Sequence, residues 1–127
     1  MTKKILVADD QPGIRMLLKE VFIDEGYDVT TVETGKEALD RIYAGSFDLL
    51  VLDYKLPVVD GVDVLKQLEN DRVVIPAIVM SGLADDMKSA LKQSRIVDEI
   101  FAKPFNIQEV SRSVNHLLGG RCHLDSS

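Results

Sequence analysis

The sequence has little cysteine and no long apolar stretch. Its single cysteine, Cys122, excludes an internal disulfide and fits the reducing conditions of a cytosol. No apolar run reaches the ~18 residues that a membrane-spanning helix needs. The first residues, Met-Thr-Lys-Lys-Ile, lack the apolar region of a secretory signal. We therefore expect a cytoplasmic protein that does not enter membranes.

Positive charge is also scarce, since 15 Lys and Arg face 21 Asp and Glu for a net charge of −6. This balance disfavours nucleic acid as a direct partner and favours bound cations or basic surfaces on other proteins. The 127 residues, 46% apolar and 28% charged, suit one ordinary globular domain and are too few for two. No internal repeat, linker or low-complexity tract is evident.

Apolar runs alternate with helical patterns along the whole chain. Strands are predicted at residues 4–9, 27–33, 47–57, 73–81 and 98–102. Helices are predicted from Pro12 to Gly26, at 35–44 after a Thr34 cap, from Asp60-Gly61, from 84 to about 95, and after an Asn106 cap. Strict alternation of this kind implies a parallel sheet with helices on both faces.

The third predicted strand is the most informative stretch. Four consecutive apolar residues, from Leu49 to Leu52, lead into Asp53, and Pro57 closes the segment. Such a run suits a strand buried on both faces of a parallel sheet. Asp53 then lies at the carboxyl end of the strand, where open α/β sheets place their ligands.

Other polar residues share this position at or just past a predicted strand end. One such residue alone is most simply structural, but together they converge on one edge of a parallel sheet: Asp9, Asp10, Asp53, Ser81 and Lys103. Three crowded carboxylates repel one another and require a cation. Oxygen ligands with room for water suit Mg²⁺. A lysine and a hydroxyl beside them predict phosphoryl transfer, a reaction in which a carboxylate can itself be the nucleophile.

The same motifs resemble the two-component response-regulator receiver domain over about residues 3–118. They are the Asp-Asp pair, Asp53 followed by Lys-Leu-Pro, Asp60-Gly61, Ser81 and Lys103-Pro104-Phe105. The resemblance implies a doubly wound, flavodoxin-like α/β fold: a five-stranded parallel sheet of order 2-1-3-4-5 flanked by five helices. We expect a receiver domain at 1–119, a disordered tail at 120–127 that contains Cys122 and His123, and no output domain.

The resemblance also implies a role for each residue of this edge. Asp53 would be the phosphoacceptor, and Asp9, Asp10, Asp53 and the backbone carbonyl of Lys55 would bind Mg²⁺, for which Mn²⁺ could substitute. Ser81 and Lys103 would bind the phosphoryl group.

Further roles concern switching and the lifetime of the phosphoaspartate. By resemblance, Ser81 and Phe101 would change conformation on activation, although a strand aromatic is usually a core residue. Lys55 and Leu83 lie two residues past Asp53 and Ser81, and we expect them to tune the hydrolysis of the acyl phosphate. Gly82 stands where the family usually has alanine, and Ile96-Val97 where Gly-Ala is common.

A narrower resemblance lies in Asp-Asp-Gln-x-Gly-Ile-Arg-x-Leu-Leu-x-Glu-Val-Phe, Glu-Gly-Tyr and Phe-Ala-Lys-Pro-Phe. These are similar to stand-alone sporulation phosphorelay regulators of spore-forming Gram-positive bacteria. The resemblance implies a monomer whose partners are a sensor histidine kinase, a histidine phosphotransferase and aspartyl-phosphate phosphatases. The docking surface would comprise Gln11, Gly13, Ile14, Leu17, Lys103, Pro104 and Phe105. Helical spacing alone instead makes Ile14 and Leu17 core positions.

Two other functions compete with a phosphorelay. A chemotaxis-type receiver would use phosphorylated Asp53 as a binding switch for an effector. A Mg²⁺-dependent hydrolase of the haloacid-dehalogenase type would need a second aspartate two residues after its nucleophile, where this sequence has Lys55.

Overall fold

The structure is a computed structural model that describes residues 2–81, 97–102 and 105–119. Predictions for the helix at 84–95, for Leu83, Lys103 and Pro104, and for the tail at 120–127 fall outside these residues. The described elements are β1 (Lys4–Ala8), α1 (Pro12–Asp24), β2 (Asp28–Val32), α2 (Gly35–Ala44), β3 (Leu49–Asp53), α3 (Gly61–Asn70), β4 (Ala77–Ser81), β5 (Val97–Ala102) and α4 (Ile107–Leu118).

The strands form one sheet of order β2-β1-β3-β4-β5, and every neighbouring pair is parallel. This confirms the predicted topology. The chain leaves β1 for the outer strand β2 and returns on the other side of β1 to form β3. The winding therefore reverses between β1 and β3, and the carboxyl ends of these two strands flank the crevice where open α/β sheets bind ligands.

Buried side chains alternate between the two faces of the sheet. On β3, Leu49 and Val51 pack with α1 and α4, whereas Leu50 and Leu52 pack with α2 and α3. Each of the five β3 residues is buried, as predicted for a central strand of a parallel sheet. Helices therefore cover both faces of β3, and packing on both sides holds the end of the strand that carries Asp53.

Helix ends agree closely with the sequence signals. The Thr34 hydroxyl accepts a hydrogen bond from the Glu37 N–H at 3.1 Å, and the Asn106 side chain accepts from the N–H groups of Gln108 and Glu109 at 2.9 and 3.2 Å. Gly26 follows α1 with a φ of 98°, a conformation that favours glycine. These three predicted boundaries are confirmed.

The predicted start of β4 at residue 73 is wrong, because the strand begins at Ala77. Arg72 has a φ of 59°, and the Val73 N–H donates back to the Leu68 carbonyl at 2.9 Å. Residues 72 and 73 therefore complete the C-terminal motif of α3. Pro76 has no N–H to contribute to a ladder, so regular pairing starts after it.

The prediction from spacing alone that Leu17 is a core residue is also wrong. Leu17 is 42% exposed, while Leu18 and Phe22 are fully buried. Ile14 is half-buried against the same core. The helix α1 contacts the sheet along a line through Leu18 and Phe22. Leu17 lies about 100° around the helix from Leu18, so its side chain falls outside this line.

None of the helices in the described part of the chain has the length and apolar character needed to cross a bilayer.

Candidate functional site

Three strands end in buried polar residues at the same edge of the sheet. Asp9 directly follows β1, Asp53 is the last residue of β3 and Ser81 the last of β4, with exposures of 1%, 8% and 2%. Asp53 pairs in register with Met80, so Ser81 extends one residue further toward the edge. Of the five strand-end residues predicted from the sequence, the structure describes four, Asp9, Asp10, Asp53 and Ser81, and it places all four at this edge.

The carboxylates of Asp9, Asp10 and Asp53 form a cluster, in which one oxygen from each lies within 4.8 Å of the others. Asp10 is exposed, whereas the other two are buried. Three carboxylates this close repel one another, and a bound cation relieves the repulsion. Oxygen donors with solvent on one side fit Mg²⁺, which keeps several of its waters. The donor set therefore fits the predicted metal.

The connection from β1 to α1 orients the first two carboxylates. The Gln11 N–H donates to Asp9 Oδ1 at 2.8 Å. The Asp9 N–H donates to the Val32 carbonyl at 3.2 Å, which continues the pairing of β1 with β2 past the end of β1. Pro12 opens α1, where its fixed φ suits the first helical turn. Main-chain bonds therefore hold Asp9 from both sides.

Arg15, on the first turns of α1, also contacts this connection. Its Nη1 donates to the Asp9 carbonyl at 2.9 Å, and its Nη2 forms an ion pair with Glu33 Oε1 at 2.9 Å. Sequence reasoning missed this residue, because a single arginine on a helix gives no signal of the loop that it contacts.

The loop from β3 to α3 closes tightly behind Asp53. The Tyr54 N–H donates to the Met80 carbonyl at 2.8 Å, and the Gly61 N–H donates to the Tyr54 carbonyl at 2.9 Å. Asp60 precedes α3 but makes no side-chain cap; its Oδ1 accepts from the Leu56 N–H at 3.3 Å instead. The Asp60-Gly61 pair thus folds the loop and starts the helix.

A strained turn lies within this loop. Val58 has a φ of 71°, and the Val59 N–H donates to the Pro57 carbonyl at 2.8 Å, which defines a γ-turn. Positive φ is uncommon for a β-branched residue. The Val58 side chain is 76% exposed, so packing of this side chain does not explain the positive φ. Strained backbone of this kind concentrates near functional sites.

Comparison with known proteins identifies the family. The response regulator receiver domain matches residues 5–115. This chain belongs to that family. Sporulation initiation phosphotransferase F of Bacillus subtilis is 40% identical over 119 residues, which cover 93% of this chain and 95% of that protein. The alkaline phosphatase synthesis transcriptional regulatory protein PhoP of the same organism is 36% identical over 93% of this chain, which spans about half (49%) of that regulator.

Solved receiver structures share the fold. The Francisella response regulator 1452 receiver domain is 34% identical, has a TM-score of 0.85, and the match covers 91% of this chain and 96% of that one. Response regulator TrrA of Thermotoga maritima, solved in complex with Mg²⁺ and BeF, is 36% identical with a TM-score of 0.81, over 91% of this chain and 99% of that one.

The residues predicted for partner docking in this receiver domain differ in accessibility. Gln11, Gly13 and Leu17 are exposed around the start of α1. Ile14 and Phe105 are half-buried against the core between the sheet and α1 and α4. Lys103 and Pro104 lie outside the described residues. The first turns of α1 therefore present an accessible surface next to the carboxylate cluster.

The residues predicted for switching and phosphate lifetime lie close to the same edge. Phe101 on β5 pairs in register with Met80 and is half-buried against the same core as Ile14. Lys55 is exposed two residues past Asp53. Leu83 falls outside the described residues. Their roles stay predictions.

Gly61 gives the receiver domain a close backbone contact that a larger residue would disrupt. A Cβ at this position would lie 2.5 Å from the Asp53 carbonyl oxygen and 2.8 Å from that of Tyr54. We expect Gly61→Ala to lower the free energy of unfolding by about 2 kcal/mol, because the backbone beside Asp53 must shift. Urea unfolding measures this change.

Gly13→Ala is the matched control, since a Cβ there would meet nothing within 4 Å. Alanine at this helical position is expected to be neutral or stabilising by up to about 1 kcal/mol. If the two variants were equally stable, the close contact at Gly61 would have no energetic importance.

Proposed function

We propose that this receiver domain is a phosphorelay intermediate of the cytoplasm, of the kind that acts in sporulation initiation. It takes a phosphoryl group from a histidine of a sensor kinase onto Asp53 and passes it to a histidine phosphotransferase. The observation that carries the proposal is the grouping of Asp53 with Asp9 and Asp10 within 4.8 Å at one edge of the sheet.

In the first step, a carboxylate oxygen of Asp53 attacks the phosphorus of phosphohistidine. The P–N bond breaks, a P–O bond forms, and the imidazole of the kinase leaves. In the second step, a histidine nitrogen of the phosphotransferase attacks the same phosphorus, and the Asp53 carboxylate is regenerated. Each step moves a phosphoryl group between a histidine nitrogen and the Asp53 oxygen, so one site serves both steps.

A cation held by the carboxylate cluster would stabilise the charge on the transferring phosphoryl group. Asp9, Asp10, Asp53 and the Lys55 carbonyl would hold Mg²⁺, which supplies neutralising charge to the phosphoryl oxygens, and Mn²⁺ would substitute because it takes similar oxygen ligands. Asp9 is held rigidly by main-chain bonds, so its carboxylate is preorganised for an ion.

The remaining polar groups would bind the phosphoryl oxygens. Ser81 is 2% exposed at the end of β4, next to the strand of Asp53, and its hydroxyl can donate to one oxygen. Lys103 would supply a positive charge to another. With Asp53 only 8% exposed, the fold limits the access of water to the acyl phosphate.

Two features favour a relay over a binding switch. The 40% identical relative that this chain covers to 95% of its length is itself named a phosphotransferase. The exposed residues at the start of α1, Gln11, Gly13 and Leu17, lie beside the site. A partner helix that docks there would bring its histidine close to Asp53, as group transfer requires.

Incubation with a phosphorylated sensor kinase and then with a histidine phosphotransferase, both from a spore-forming bacterium, tests the proposal. Label is expected to pass through this protein to the phosphotransferase in the presence of Mg²⁺. Label that remains on Asp53 until hydrolysis would instead show a phosphorylation-controlled binding switch and contradict the relay.

We also propose that Lys55 and Leu83 tune the lifetime of the phosphoaspartate. Their replacement by alanine together should change the rate of hydrolysis severalfold, because side chains two residues past Asp53 and Ser81 would control the access of water. The loss of label from purified phosphoprotein measures the rate, and Lys66→Ala on α3, also an exposed lysine, is the control. A rate equal to that of the parent would exclude this role.

A further inference from the structure

Arg15 links α1 to the residues that directly follow β1 and β2. It belongs to α1, and its backbone N–H donates to the Gln11 carbonyl at 3.0 Å in the first turn of that helix. Its guanidinium donates to the Asp9 carbonyl just past β1 and to the Glu33 carboxylate just past β2, each at 2.9 Å. The Arg15 side chain is 17% exposed. The guanidinium therefore ties the end of β1 to its neighbours on two sides.

The bond to the Asp9 carbonyl has a consequence for Asp10. That carbonyl belongs to the peptide group between Asp9 and Asp10, which is planar, so a fixed carbonyl fixes the orientation of the whole group. The Asp9 side chain is also held by burial and by the Gln11 N–H. Asp10 is exposed, and burial therefore cannot orient it. The direction of the Asp10 Cα–Cβ bond depends instead on the main chain that precedes it.

We propose that Arg15 is a positioning residue for the cation site, and that it holds the peptide group between Asp9 and Asp10 so that the Asp10 carboxylate stays in the cluster. The inference rests on the proposed function, in which this cluster binds Mg²⁺. It adds to that function a residue that touches neither the ion nor the phosphoryl group.

The positive charge of Arg15 does not by itself explain an effect on the cation site. Arg15 is paired with Glu33, so the pair as a whole brings no net charge to the three carboxylates. Glu33 is 65% exposed, and ion pairs with exposed carboxylates contribute little to stability. Loss of the Arg15 side chain is therefore expected to leave the protein folded and to act on the cation site.

The test is a titration of Mg²⁺ by calorimetry into the parent, Arg15→Ala, Arg15→Lys and Arg112→Ala. Arg15→Ala is expected to raise the Mg²⁺ Kd about tenfold, the lower end of the effect of residues that orient metal ligands. Arg15→Lys keeps the charge but not the planar fork that reaches two acceptors, and its Kd should also rise severalfold. Arg112 is an exposed arginine on α4, and its replacement should leave the Kd within twofold.

Phosphorylation by acetyl phosphate gives a second readout that does not involve a partner protein. The Mg²⁺ concentration for half-maximal labelling should rise in Arg15→Ala by the same factor as the Kd. The labelling rate at saturating Mg²⁺ should match that of the parent, since Asp53 is unchanged. A general loss of structure would instead lower the saturated rate, and thermal unfolding checks the fold of each variant.

Opposite results separate this inference from the proposed function. The positioning role would be overturned if folded Arg15→Ala or folded Arg15→Lys bound Mg²⁺ with a Kd within twofold of the parent. For Arg15→Ala, this result would show that the bonds to the Asp9 carbonyl and to Glu33 are not needed. For Arg15→Lys, it would show that the guanidinium fork is not needed. If Arg15→Ala does not fold, Arg15→Lys alone decides. If the parent protein did not bind Mg²⁺, or if the parent and Asp10→Ala bound it with equal affinity, the proposed function would be overturned and this inference with it.

Discussion

Replacement of Asp53 by asparagine is expected to reduce phosphorylation to background and to leave the fold intact. An amide of nearly the same shape fills the site but lacks the carboxylate nucleophile. Asp53 is 8% exposed and lies in a cluster of three carboxylates, so the loss of its charge relieves repulsion and should not lower stability. Labelling by acetyl phosphate and by a phosphorylated kinase measures the first effect, and thermal unfolding the second.

Asp63→Asn is the matched control for this experiment. Asp63 is an exposed aspartate in the first turn of α3, and its replacement makes the same change of charge away from the cluster. It should leave labelling unchanged. Continued labelling of Asp53→Asn by acetyl phosphate would show that another residue is the acceptor.

Replacement of Asp10 by alanine should weaken Mg²⁺ binding at least about a hundredfold. Mutation of a group that only orients a metal ligand costs up to about a hundredfold in affinity, and loss of a ligand should cost at least as much. Asp10 is exposed, so its removal creates no cavity. Without Mg²⁺, the variant should be at least as stable as the parent, because one of three repelling charges is gone. The rise in unfolding temperature that Mg²⁺ gives the parent should disappear.

Asp40→Ala, which removes an exposed aspartate on α2, controls for the change in net charge. It should retain the Mg²⁺-dependent rise in unfolding temperature. Equal Mg²⁺ affinity in Asp10→Ala and the parent would remove Asp10 from the set of ligands.

The topology and the polar edge could be predicted because both depend on simple patterns. The apolar run from Leu49 to Leu52 has the length of a strand and no helical period, and β3 spans Leu49–Asp53. In a parallel sheet all carboxyl ends lie at one edge. Asp9, Asp53 and Ser81 therefore had to meet once the strands were placed, and the structure shows them there.

Other features depend on contacts that a local pattern does not contain. The exposure of Leu17 depends on the direction in which α1 crosses the sheet, whereas its spacing fits the buried face. The positive φ of Val58 contradicts the preference of a β-branched residue. The bonds of Arg15 reach 6 residues back to Asp9 and 18 residues forward to Glu33. Each feature became visible only from the three-dimensional arrangement.

The most direct test of Asp53 as the Mg²⁺-dependent phosphoacceptor is to locate the phosphoryl group on the parent protein. The protein would be phosphorylated in Mg²⁺, the acyl phosphate reduced with borohydride, and the modified residue identified by peptide mass spectrometry. We expect that Asp53 is reduced and that the modification is absent when Mg²⁺ is withheld. A reduced residue elsewhere in the chain, or equal modification without Mg²⁺, would contradict this expectation.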